Sequence, residues 1–306
     1  MKNDFLQFLR YSFCALFALG LSAAIPHPLS AQGRGPDPAA EAKLKEAAEK
    51  PTPKASDGHP DMTGYWDTVV AMFGFDGQPF ITRDGGSAPG KALFGNTTEA
   101  AVTKGAEQSE RNFDKMAATR IQYKAQYRDQ VKDEMLHPEK DDPMFACQPE
   151  GVPRIGFPNE IVQTPKTVVF LYENPYDHPD HFTYRVIPTD GRPHDPDADD
   201  MPLGDSVGRW EGDTLVVDVT HLSAKTWVGG EQGPGTIHDA NLHVIERFTR
   251  KGDTLEYGVT LEDPTMFDQP FVAKTQRLIV KPNQHSHEDY PCVERDRAHM
   301  LAAGKN

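Results

Sequence analysis

Positive charge is what this chain is short of: 32 Lys and Arg stand against 46 Asp and Glu in 306 residues, a formal net charge of −14. A surface that neutralises phosphates needs a cationic excess to release counterions, so non-specific nucleic-acid binding is excluded as a starting assumption. Motifs for several common chemistries are missing as well. There is no G-x-S-x-G elbow, Walker loop, Rossmann fingerprint, H-E-x-x-H helix or C-x-x-C-H haem attachment, which disfavours nucleotide-dependent chemistry and calls for no organic cofactor. No repeat of fixed period is present. The apolar run from Tyr11 to Ile25 is shorter than a bilayer-spanning helix prefers. Gly (25) and Pro (26) together fall well below the proportion of a low-complexity chain, yet they are numerous enough for a fold of short strands and many turns.

What is present begins with an export signature. Lys2 and Arg10 precede the apolar run, and small residues end at Ser30 and Ala31, the layout of a secretory signal peptide over residues 1–31. The expected compartment is the periplasm or the exterior, with no membrane span after cleavage. Losing Lys2, Arg10 and Asp4 removes a net +1 from −14 and leaves the remainder at −15. Cys14 goes with the leader. Cys147 and Cys292 remain, and in an oxidising compartment they are expected to form a disulfide. The acidity reads as surface solubility.

Residues 32–60, rich in Pro, Ala, Glu and Lys without sustained apolar periodicity, are expected to be a flexible lead-in. Residues 61–306 are expected to form a single β-rich domain. Within it, residues 99–136 lack Pro and are dense in helix formers, so a helical segment is expected there, covering a surface because its apolar positions are sparse. From Cys147 onward the chain alternates in short runs broken by turns. "EIVQTPKTVVFLYE" splits at Thr-Pro-Lys, "SVGRWEGDTLVVDV" turns at Glu211-Gly212-Asp213, and "LHVIERFTRKGDTLEYGVTLED" turns at Lys251-Gly252-Asp253. Such strands must close or stack to hide their edges, which predicts an antiparallel β-barrel of about eight to ten strands with a helical insertion; a β-sandwich is the runner-up.

Two resemblances bear on this. Gly64 and Trp66 resemble the G-x-W opening of lipocalin-like barrels, in which the tryptophan closes one end. The order "TDGRPHDPD", "SVGRWEGDTLVVDV", "GTIHDANLHVIERF" and "YPCVE" resembles a large, mostly uncharacterised family of secreted bacterial proteins over about Pro60 to Glu294. That resemblance implies a compartment and a domain, and no particular reaction.

The candidate chemistry lies in the β-rich half. His194 follows a strand in a turn with Arg192, and His238 and Asp239 precede a strand bearing His243 and Arg247. Period-two alternation puts His243 and Arg247 on one face, which predicts that they share a barrel cavity. Histidine exchanges a proton near neutral pH and arginine can hold a carboxylate or an enolate oxygen. His194, His238 and His243 are therefore the expected acid/base groups, Asp239 the residue orienting a histidine, and Arg154, Arg192 and Arg247 the anion holders. Tyr65, Trp66, Trp210 and Trp227 suggest an apolar or aromatic small molecule. "HPDH" (His178, His181) and "HSHED" (His285, His287) offer ligand types but only two at a time, so no metal is expected. The expected function is a cofactor-independent enzyme of lyase, isomerase or hydrolase type. The alternative is a carrier that holds a hydrophobic ligand in the same barrel without catalysis.

Overall fold

A computed structural model describes residues 38–68, 72–73, 79–81, 120–146, 148–173, 183–229 and 235–286. Helix α1 covers Pro38–Ala48, and strand β1 follows at Gly64–Thr68. A short pair, β2 (Met72–Phe73) and β3 (Pro79–Ile81), stands apart from the main sheet. Helix α2 is Arg128–Leu136, and the one-turn α3 is Pro138–Asp141. The remaining strands are β4 (Glu160–Thr164), β5 (Thr167–Tyr172), β6 (Thr183–Pro188), β7 (Asp205–Glu211), β8 (Thr214–Thr220), β9 (His243–Lys251), β10 (Thr254–Glu262), β11 (Phe271–Val272) and β12 (Gln276–Val280).

Nine of these strands run antiparallel in the order β6-β5-β4-β1-β12-β10-β9-β8-β7 and curl into a nearly closed barrel, with β11 added beside β10. Three hairpins with two-residue turns, β4–β5, β7–β8 and β9–β10, supply much of the ladder. Gly212 and Gly252, at φ +62° and +56°, take the left-handed conformation that two of their turns need. Strand β1 enters between β4 and β12, with Gly64 opposite Ile161 and Trp66 opposite Val280.

The barrel is filled by its own side chains. Trp66, Phe170, Tyr172, Leu215, Phe248, Leu255 and Tyr257 are almost entirely inaccessible to water, and Phe248 lies 4.8 Å from Phe170 and 4.9 Å from Tyr257 between ring centres. Trp66 donates from Nε1 to the Met62 carbonyl at 2.9 Å, with the Arg250 guanidinium 5.1 Å above its ring.

Between β6 and β7 the barrel closes through side chains. Arg185 of β6 donates to Glu246 Oε2 (2.6 Å), to Tyr172 Oη (3.0 Å) and, across the seam, to Ser206 Oγ of β7 (2.8 Å). Tyr257 Oη donates to the other Glu246 oxygen at 3.0 Å. Gly208 of β7 lets the edges approach, because a Cβ there would sit 2.8 Å from Thr189 Cγ2 and 3.1 Å from Ile187 Cγ2.

Two expectations are revised. From residue 38 the supposed lead-in is ordered: Ala40, Leu44 and Ala47 of α1 are buried, and Ala47 O accepts the Asp253 amide at 2.9 Å on the β9–β10 turn. Its buried face is mostly alanine, too small to give an apolar rhythm in the sequence. In the helical stretch, residues 99–119 lie outside the described residues, residues 120–124 are irregular with Tyr123 bridged to Phe267, and α2 occupies 128–136. Ile121, Val131 and Met135 belong to the core, so this segment does more than cover a surface.

Candidate functional site

Along β9, Val244, Glu246, Phe248 and Arg250 are buried, whereas His243, Ile245, Arg247 and Thr249 point outward. The alternation is the expected one with its sides exchanged. The histidine face is outside the barrel, and the inward face carries the buried ion pair.

On that outer face, polar side chains from four strands and one loop form a continuous row. His194, in the loop between β6 and β7, places Nδ1 2.7 Å from Asp205 Oδ2 of β7 and Nε2 3.0 Å from Asp218 Oδ1 of β8. The same Asp218 oxygen lies 2.8 Å from His243 Nε2 of β9, and His243 Nδ1 lies 3.3 Å from Glu262 Oε2 of β10. Arg209 of β7 approaches the other Asp218 oxygen at 3.5 Å. The row is half-buried, with Asp218 21% exposed and His243 30% exposed. Partial burial pulls the Asp218 carboxyl upward, but hydrogen bonds from His194 and His243 outweigh it and hold the group below its ordinary value. Asp218 is thus a carboxylate that accepts only. His243 meets it through Nε2–H, and its other nitrogen, Nδ1, faces the Glu262 carboxylate.

His238 belongs to a different neighbourhood. It is buried, with Nδ1 2.8 Å from the Asp239 carbonyl and Nε2 3.0 Å from Thr226 Oγ1. Burial pushes its pKa down despite that carbonyl and the charges of Asp263 and Asp239. Asp239 orients His238 through its backbone oxygen; its carboxylate caps the Asn241 amide at 3.0 Å. Arg154 is partly buried, bidentate on Asp142 at 2.7 and 2.8 Å, with its guanidinium 5.9 Å from the Trp227 ring. Beside it Glu150, 4.0 Å from Arg154, is pushed up by burial against the pull of Arg154.

The other expected residues do not converge. Arg192 is exposed and closes its own turn on Asp190. Arg247 is exposed and pairs with Glu211. Tyr65 donates to Glu173 at 2.7 Å, Trp66 is core, and Trp210 stacks on His59 at 4.4 Å. Cys147, Cys292, His178, His181 and His287 lie outside the described residues, and His285 pairs with Glu160 at 3.0 Å. Among the described residues, no three His, Cys, Asp or Glu side chains converge to hold a metal ion. No described helix is long and apolar enough to cross a membrane.

Sequence reasoning missed Asp205, Asp218 and Glu262, which tie the two histidines together, and Arg185 with Glu246 in the core. Asp218 was findable, because it follows the valine run of β8 with outward parity. Scans against protein-family models, curated proteins and solved structures find no match. The fold is an antiparallel, nearly closed β-barrel, and a row of two histidines and three carboxylates lines its outer wall.

Proposed function

We propose that this chain is an exported enzyme that uses histidine and carboxylate side chains, without an organic cofactor, for proton transfer on a small organic molecule at the outer face of β7–β10. The observation that carries this reading is the placement of two imidazoles on one oxygen of a half-buried carboxylate. Asp218 fixes the tautomer of His243, and the Nδ1–Glu262 pair then exchanges a proton with the substrate, in the manner of a lyase, isomerase or hydrolase. Arg209 lies at the edge of the same carboxylate, where it would meet an anionic oxygen of the substrate.

The leader over residues 1–31 supports export, as does the resemblance to secreted bacterial proteins, and a Cys147–Cys292 bridge belongs to the same proposal. The carrier alternative requires room inside the barrel, where Trp66, Phe170, Phe248 and Tyr257 pack against one another, so the outer-wall enzyme is preferred.

The test is proton exchange in D2O. Purified protein is incubated with a panel of small carbonyl and carboxylate compounds bearing acidic C–H bonds, and deuterium incorporation or turnover is followed by NMR. The expected result is activity that His243→Gln lowers by about 10²–10⁴-fold with the fold intact. No activity on any member of the panel counts against the enzyme reading, and an undiminished His243→Gln variant counts against this site.

A further inference from the structure

His194 is the one member of the row that does not sit on a strand. It rides on the loop 191–204, which begins and ends at glycines with positive φ, Gly191 at +84° and Gly204 at +64°. Gly204 is pinned, since a Cβ there would lie 2.5 Å from the Thr220 carbonyl. The base is fastened where the Met201 amide meets the His221 carbonyl at 2.9 Å, and His221 itself holds φ at +53°. Between Gly191 and Met201, only His194 and Ala198 are less than exposed. Among the described residues, residues 191–200 reach the sheet through His194 and through the Asp195 amide, 3.2 Å from Asp205 Oδ2.

The chemistry of that attachment is conditional. Both His194 nitrogens face carboxylate oxygens, at 2.7 and 3.0 Å, and ionised carboxylates only accept. Both contacts are hydrogen bonds only while both nitrogens carry protons. In the neutral ring one nitrogen turns a lone pair toward an oxygen, and attraction becomes repulsion. The surroundings are otherwise set for release. The loop carries Asp195, Asp197, Asp199 and Asp200 over a face that already holds Asp205, Asp218 and Glu262, while the arginines nearby are engaged elsewhere, Arg209 and Arg247 on Glu211 and Arg192 on Asp190, which leaves His243 as the other basic group of the row.

We infer that residues 191–204 form a pH-latched lid over the His243 site, with the doubly protonated His194 as the latch. Protonated His194 holds the lid down and occupies Asp218 Oδ1. When the ring gives up a proton one of its two contacts turns repulsive and the attachment weakens, which opens Asp218 and His243 to a substrate. This is a regulation of the site proposed above and rests on that reading, but the lid itself is measurable without any substrate.

The measurement is hydrogen–deuterium exchange of the Asp195 amide, the one that reaches Asp205, in the full chain, corrected for intrinsic rates, between pH 5 and pH 8. The wild type is expected to lose at least about tenfold protection in this loop across that range, with β7–β10 unchanged. His194→Gln should show the unprotected loop at both pH values. Asp205→Asn, which takes away one negative partner of the imidazolium, should move the loss of protection to lower pH. Equal protection of the wild-type loop at both ends of the range overturns the lid, as does a wild-type pH profile in His194→Gln. His243→Gln, run beside them, separates the two readings. Loss of the latch with turnover still dependent on His243 defeats the lid alone, and a working latch with turnover undiminished in His243→Gln defeats the catalytic reading alone.

Discussion

At the scale of single residues, a buried charge pair lies beside the seam of the barrel. Arg185 and Glu246 are 2% and 0% exposed and 2.6 Å apart, and no backbone ladder joins the strand of Arg185 to β7. The pair holds Arg185 in its protonated form, since the attraction of Glu246 outweighs the cost of burial, and burial drives the Tyr172 and Tyr257 hydroxyls upward. Breaking one side of such a pair leaves an uncompensated buried charge. Arg185→Met should therefore cost on the order of 3–5 kcal/mol in urea unfolding, and adding Glu246→Leu should restore most of it. A single variant within 1 kcal/mol of wild type would show that the seam is held by packing instead. Glu246 was hidden in the sequence because an acidic residue is normally counted as outward. Its neighbours at the same parity, Val244 and Phe248, were the available signal for the opposite assignment.

At the scale of elements, hairpins were readable and helix placement was not. The β7–β8 and β9–β10 ladders announce themselves through alternation around Gly212 and Gly252, because a tight turn and a half-buried strand both impose local sequence rules. Which face turns inward is decided by closure of the whole sheet, a non-local event, and alternation along β9 alone does not distinguish the histidine face from the core face. Helix α1 was invisible for a related reason: it is held by a site on a distant turn. At Gly252 a Cβ would lie 2.4 Å from the Ala47 carbonyl, in addition to the unfavourable φ of +56°. Gly252→Ala should loosen α1 from the β9–β10 turn, raising amide exchange in residues 38–48 and costing roughly 1–3 kcal/mol. Unchanged exchange in α1 would mean that Lys50–Asp253 and Arg277–Glu41 suffice to dock it.

At the scale of the whole molecule, two groups make acid destabilising in two separate steps. His238 has a folded pKa below its unfolded one, so the unfolded chain binds the extra proton first and stability falls as pH drops through the ordinary imidazole range. Asp218 is also lowered by folding; its contribution is present above the ordinary carboxylate value and is lost as pH falls through its lower folded value. Urea midpoints at pH 7.5 and 5.5 should show a loss of stability on acidification that His238→Asn reduces. A drop undiminished by His238→Asn would place the linkage elsewhere.

The position of β1 has a consequence for how the chain is made. Trp66 pairs beside Val280, so a strand near the start of the described residues waits for one near their end, and the loop that must be closed between them is among the longest the chain offers. The hairpins from β4 onward can form as they are synthesised, but the sheet has no centre until residues 276–280 arrive. A nascent or truncated chain that stops before β12 should remain an open, protease-sensitive intermediate. Completion of the barrel is thus timed by the appearance of the last described strand, so the earlier hairpins must wait with their core faces open.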